Sequence, residues 1–186
     1  MTIAASLDSL PRNKSNSYID ATWSGRDTLQ RRIIWLTTAL GFDPRLVAAS
    51  NLVFVRSRDA ESSRSLEYAD VCWPIHEEIL KIIRPQMILG YGNSAGSPYS
   101  FLLRKFGVRT QKWHEAGHGT WKGRAPRVPG AFWVVGLPHL SRYDVTAHSD
   151  VTRWIKSLRD GQAPSSEDES NDVERSSGTR RRRDNP

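Results

Sequence analysis

The sequence predicts an α/β domain of three layers, with helices on both faces of a central, mostly parallel sheet of about four strands. Two observations carry that expectation. Short continuous apolar runs at 51–55, 87–92 and 131–136 have the length and composition of strands buried on both faces. Between them lie longer segments whose apolar residues recur every three or four positions, the helical period. Strand–helix alternation implies parallel pairing, and in such sheets the ligand site lies beyond the carboxyl ends of the strands.

Each element has its own warrant. Thr2-Ile3-Ala4-Ala5-Ser6-Leu7 is short, apolar and β-compatible, and reads as a first strand ending at Asp8-Ser9. Residues 12–16 are polar and loop-like. Residues 28–40 carry apolar side chains at 29, 33, 36 and 40, a helix that Gly41 stops. Asp43-Pro44 can begin a short further turn. The run Asn51-Leu52-Val53-Phe54-Val55 reads as a buried strand, and the charged, serine-rich residues 56–64 as an exposed loop. Residues 68–84 have apolar positions at 71, 72, 75, 79, 80 and 83, and Pro85 ends that helix. Residues 87–92 form the next buried strand and run into a glycine turn. Ser97-Pro98 opens a helix through Phe106. Residues 107–130, rich in Gly, Arg and Trp, have no clean period and read as a hairpin or a long loop. Residues 131–136 are another strand, and 146–158 a last helix.

Composition divides the chain in two. Residues 160–186 are Ser, Glu, Asp and Arg with almost nothing to bury, so a disordered tail is expected after a single domain at 1–159. The tail holds five Arg against seven Asp/Glu, so the body carries 22 Lys/Arg against 13 Asp/Glu, or +9. A basic excess in the folded part suits a polyanion, with nucleic acid first. The single cysteine, Cys72, excludes a disulfide framework and suggests a reducing compartment. No stretch approaches the ~18 apolar residues of a membrane span. The N-terminus lacks the basic start and apolar core of a signal peptide, so a cytoplasmic protein without membrane association is expected.

The strand-end segments are rich in hydrogen-bonding groups. Pro138-His139-Leu140-Ser141-Arg142-Tyr143 directly follows its strand. Pro138 stiffens the turn, His139 offers a donor that is neutral or charged, and Ser141 and Arg142 can hold phosphates. Strand, then Gly136-Leu137-Pro138-His139-Leu140-Ser141, resembles the histidine–serine loop of the uracil-DNA glycosylase superfamily. The order of other pieces is similar: a strand opening Ser50-Asn51-Leu52-Val53, a helix with Cys72-Trp73-Pro74, the Arg84-Pro85 break, and a strand at 87–92 followed by Asn93. The resemblance covers roughly residues 20–145 and is nearest to bacterial uracil-glycosylase-like branches.

That resemblance implies a monofunctional enzyme that hydrolyses the N-glycosidic bond of a flipped-out pyrimidine and leaves an abasic site. Asn51 would read the base edge, using the donor and the acceptor of its amide. His139 would stabilise charge on the departing base. Ser141, Arg142 and Arg56 would grip the backbone, and Leu140 or Tyr143 would wedge into the duplex. The family's first acidic motif is missing in its usual form. Asp8 takes its place as the carboxylate that positions water, with Asn13 and Asn16 as alternatives. Tyr18 and Asn93 complete the base-contacting set. No bulky aromatic follows Asp8 before Tyr18, which would admit 5-substituted pyrimidines such as glucosylated hydroxymethylcytosine of phage DNA, beside uracil. DNA repair and antiviral defence are both open. A monomer acting on duplex or single-stranded DNA, without cofactor or metal, is expected. The alternative is a non-catalytic DNA-binding protein of the same fold.

A rival motif is His114-Glu115-Ala116-Gly117-His118, the spacing of a zinc hydrolase. It requires a helix that brings both histidines to one face, and Gly117 and Gly119 each disfavour one by about 1 kcal/mol relative to Ala. This stretch reads instead as a loop beside DNA, with Trp113, His114, Trp121 and Lys122 available for contact. Trp35 and Trp133 read as core.

Overall fold

The computed structural model describes residues 27–54 and 65–161. Asp27 opens helix α1 (Thr28–Ala39) by accepting the backbone N–H of Leu29 and Gln30 at 2.6 and 3.3 Å, which satisfies two of the donors a helix start leaves unpaired. Gly41, at φ +88°, takes the left-handed conformation that ends it. A 3₁₀ turn at Pro44–Leu46 follows. Helix α2 (Ser65–Ile83) leads through Arg84 and Pro85 into strand β1 (Met87–Tyr91). Ser97 caps helix α3 (Pro98–Phe106). Strands β2 (Lys112–Glu115), β3 (Lys122–Ala125) and β4 (Trp133–Leu137) come next, then a 3₁₀ turn at Val145–Ala147 and helix α4 (Ser149–Arg159).

The fold is α/β, and the four strands lie in the order β1-β4-β3-β2. The sheet is mixed rather than mostly parallel. Among the described residues only β1 and β4 pair in parallel; β3 pairs antiparallel with both β2 and β4. The reason lies in residues 112–125. That stretch reverses through a turn with Gly117 and Gly119 at φ +70° and +53°, and strands joined by so short a turn must run antiparallel. The strand expected at 51–55 is also corrected. Residues 51–54 form no strand. Leu52 and Val53 pack against a helix-lined cluster, the His76 ring donates its Nε2 hydrogen to the Leu52 carbonyl at 3.0 Å, and Phe54 stacks on His76 at 4.9 Å. The apolar run is partly covered by contact with α2 and is not paired in a ladder, and Phe54 stays exposed. Val55, the strand expected at residues 2–7 and the tail from residue 162 onward lie outside the described residues.

Alternation along the strands sorts the core into two clusters. Met87, Leu89, Tyr91, Val135 and Leu137 join Leu36 and Leu40 around α1 and Val151, Trp154, Ile155 and Leu158 of α4. Ile88 and Val134 face the other way, toward Ala69 and Trp73 of α2 and Tyr99, Phe101 and Leu102 of α3. Helices therefore supply apolar faces to both sides of the sheet. Each large apolar side chain so buried contributes about 1.5–3 kcal/mol. Gly136 is required by this packing. A Cβ there would lie 2.5 Å from Cγ and Cδ2 of Tyr99, whose ring covers β4. Trp35 and Trp133 pack against the first cluster as partly buried residues, and Cys72 is buried in α2. Among the described residues no helix is long and apolar enough to cross a membrane.

Candidate active site at the strand ends

β1 and β4 stay in register from Met87–Trp133 to Tyr91–Leu137, so both leave the sheet at the same end. One further bond continues the ladder, from the Gly92 N–H to the Leu137 carbonyl at 2.8 Å. This sets the turn at Gly92 and Asn93 beside residues 138–143. Gly92 has φ +100°, and a Cβ built on it would stand 3.9 Å from Cδ2 of His139. Asn93 ties the turn down. Its amide nitrogen donates to the carbonyls of Lys122 at 2.6 Å and Gly136 at 3.1 Å. Both amide hydrogens are thus used on backbone, so a base contact from Asn93 would go through its oxygen.

The loop after β4 closes on itself. The carbonyl of His139 accepts the backbone N–H of Arg142 and Tyr143 at 2.9 and 3.0 Å. Its residues divide between the core and the surface. Leu140 and Tyr143 are buried, at 0% and 1% exposure, while His139, Ser141 and Arg142 are exposed. Leu140 and Tyr143 therefore do not wedge into DNA. They are the anchors of the loop, and the Tyr143 hydroxyl donates to the Ala116 carbonyl at 2.7 Å. Burial pushes that phenol well above its ordinary pKa, with the nearby Asp150 and Asp144 charges adding to the rise.

His139 has a defined donor end. The Ser141 backbone N–H points to Nδ1 at 3.3 Å, and the Ser141 hydroxyl lies 2.7 Å from the same atom. A backbone N–H can only donate, so Nδ1 is the acceptor and the ring proton sits on Nε2. The pKa of the ring agrees with that neutral tautomer. Although the side chain is largely exposed, partial desolvation of the ring lowers it from the ordinary imidazole value, and the Arg142 guanidinium lowers it further. The result is a neutral N–H donor at the carboxyl end of a central strand.

Arg32 of α1 holds this loop from outside. Its Nη1 donates to the Leu140 carbonyl at 2.7 Å, and its Nε pairs with Asp144 at 3.3 Å. Asp144 in turn accepts from the Thr146 hydroxyl at 2.7 Å and backbone at 3.2 Å. Sequence reasoning missed Arg32. The available signal was its position, three residues after Leu29 and four before Leu36, which puts a cation beside the buried stripe of α1.

The remaining expected residues divide plainly. Asp8, Asn13, Asn16, Tyr18 and Arg56 lie outside the described residues. Asn51 is exposed and precedes the segment packed on α2, so it does not end a sheet strand. His114, Glu115 and His118 do not converge as a zinc site would need. His114 and Glu115 are successive strand residues on opposite faces. His114 lies 3.0 Å from Asp150 and stacks on Trp154, Glu115 pairs with Lys122 at 3.2 Å, and His118 packs against Trp121. Among the described residues no group of three or more His, Cys, Asp or Glu could hold a metal ion. No family model, curated protein or solved structure matches the chain.

Proposed function

We propose that this chain is a monofunctional DNA glycosylase of the uracil-DNA glycosylase type, built as a three-layer α/β/α domain. The observation that carries this reading is His139, a neutral Nε2–H donor set beyond the end of β4 by Ser141 and beside the Gly92 turn. Water attacks the sugar carbon, the N-glycosidic bond breaks, and its electron pair leaves with the base. A fixed donor at the base carbonyl stabilises that charge as it develops, the kind of group worth about 10²–10³ in rate. Asp8 is the proposed carboxylate for the attacking water. Exposed Ser141 and Arg142 flank the histidine where the backbone of a flipped nucleotide would run. The basic body supports a polyanionic substrate.

Incubating the protein with uracil-containing DNA and with glucosylated hydroxymethylcytosine-containing DNA, and identifying the released base by mass spectrometry, tests the reading. Release of either base is expected, and loss of about 10²–10³ in that rate for His139→Ala. DNA binding without release of any base would replace the enzyme by a DNA-binding protein of the same fold.

A further inference from the structure

The hairpin of β2 and β3 forms the far edge of the sheet, and its two faces differ. Lys112, His114, Gly123 and Ala125 share one face, where His114 stacks on Trp154 of α4 and Ala125 enters the core. Trp113, Glu115, Lys122 and Arg124 share the other. There Trp113 is 54% exposed, unlike the partly buried Trp121 and Trp133. Lys122 holds its ammonium 3.7 Å from the Trp113 ring centroid while pairing with Glu115 at 3.2 Å. Arg124 is the direct cross-strand neighbour of Trp113. An exposed indole with one cation over its ring, a second cation on the same sheet face and one carboxylate beside it suits a ligand with a flat aromatic face and negative charge. The patch also adjoins the strand-end site, because the Lys122 carbonyl is one of the two that Asn93 binds.

We propose that this face is a stacking platform for single-stranded DNA. An unpaired base next to the flipped nucleotide stacks on Trp113, and Lys122 and Arg124 hold the adjoining phosphates. A base inside a duplex has both π-faces covered by its neighbours, so a ring presented this way favours an unstacked one. The inference rests on the DNA reading above and adds a strand preference to it.

Fluorescence anisotropy with a labelled oligothymidine and with a duplex of equal length tests it, on the full chain. Removing one stacking partner weakens single-strand binding by about 5-fold to 150-fold, the range for one base on one aromatic ring. Trp113→Ala is expected to show that loss on the single strand and little on the duplex, while Trp113→Phe keeps most of the affinity. Lys122→Gln and Arg124→Gln are each expected to flatten the salt dependence by about 0.7 in log–log slope, and Trp113→Ala to leave it unchanged. Equal binding by Trp113→Ala and the unaltered protein overturns the proposal, as does an equal loss on both DNAs or from Trp113→Phe. Tighter binding of an oligouridine RNA overturns the assignment to DNA. Base release measured in parallel separates the two readings. Release with a silent Trp113 sinks only the platform, and Trp113-dependent binding without release sinks only the glycosylase.

Discussion

The loop after β4 and the β2–β3 hairpin meet at one end of the sheet, yet different physics holds each in place. The loop is a short turn with two residues, three apart, set into the core. Leu140 and Tyr143 anchor it, and a charged hydrogen bond from Arg32, more than one hundred residues away in sequence, clamps its backbone. The hairpin is held by its own cross-strand pairs on one face and by Trp154 on the other. The first arrangement fixes a donor to a narrow geometry, as stabilising charge on a leaving group demands. The second leaves an aromatic and two cations on an open edge, where adaptable contact serves better. This contrast can be broken or sharpened by substitutions in each region.

The largest effect is expected from a matched pair of glycines. In Gly136→Ala the new methyl meets two Tyr99 ring atoms at 2.5 Å and a third at 2.9 Å. Tyr99 is 1% exposed and bound to Thr110 through its hydroxyl at 2.8 Å, so the ring has little room to move. Overpacking of this kind costs up to about 3 kcal/mol, or about 6–12 °C in melting temperature. In Gly123→Ala the clash is with one edge of Trp154, at 2.7 Å, on a hairpin that can shift outward. About half that loss is expected. Equal thermal shifts in calorimetry would mean that the hairpin is as rigidly held as the strand feeding the loop.

Arg32→Met tests the clamp. It leaves the Leu140 carbonyl without its donor, at a cost of about 1–3 kcal/mol. The lost pair with half-exposed Asp144 adds little. A loosened loop misplaces His139, so kcat for base release is expected to fall about tenfold, with KM nearly unchanged. A rise in KM alone would show that Arg32 serves substrate binding and not loop geometry.

The same contrast decides what was legible in sequence. Strands β1 and β4 were readable because each is a continuous apolar run with a breaker after it, and the site loop was readable because it follows such a run directly. Among the described residues, α1 and α2 were legible from their apolar period and α3 from its Ser-Pro start, and α4 was expected three residues early, at Thr146. The hairpin was not, since Lys112–Glu115 and Lys122–Ala125 hold only two apolar side chains between them, Trp113 and Ala125. Their order comes from pairing and from Trp154, which no local pattern records. The run at 51–54 misled for the opposite reason. Its Leu52 and Val53 are partly buried against the cluster around α2, and an apolar run alone does not distinguish a ladder from packing on a helix. The place of Arg32 beside the apolar stripe was legible, but its role was not, because its partners are backbone and side-chain groups of a distant loop.

Titration of His139 gives a smaller effect. Its pKa lies below the ordinary imidazole value of about 6.5, through partial desolvation of the ring first and the Arg142 charge second. Neutral His139 accepts both Ser141 contacts at Nδ1; protonation there breaks the backbone N–H contact and requires the hydroxyl to turn and accept. Base release is therefore expected to persist below pH 6.5 before an acid limb sets in. The stability linkage has the same direction. Below about 6.5 the unfolded histidine binds protons more readily than the folded one, so stability falls as pH falls. Arg142→Gln removes the second cause and moves the acid limb upward, toward but not to the ordinary value. A limb that stays put in the pH–rate profile would assign the shift to burial alone.

The smallest effect belongs to the hairpin. Lys122→Met removes the cation over Trp113 and the pair with Glu115, both on an exposed face. A cation–π contact at such a site is worth about 0.5–1 kcal/mol, and an exposed ion pair adds a few tenths at most. Thermal denaturation is expected to shift by about 1–4 °C, well short of the Gly136→Ala loss. A loss as large as that of Gly136→Ala would mean that the Lys122–Trp113 contact holds the sheet edge together. The open edge would then be a structural brace, as constrained as the loop it adjoins.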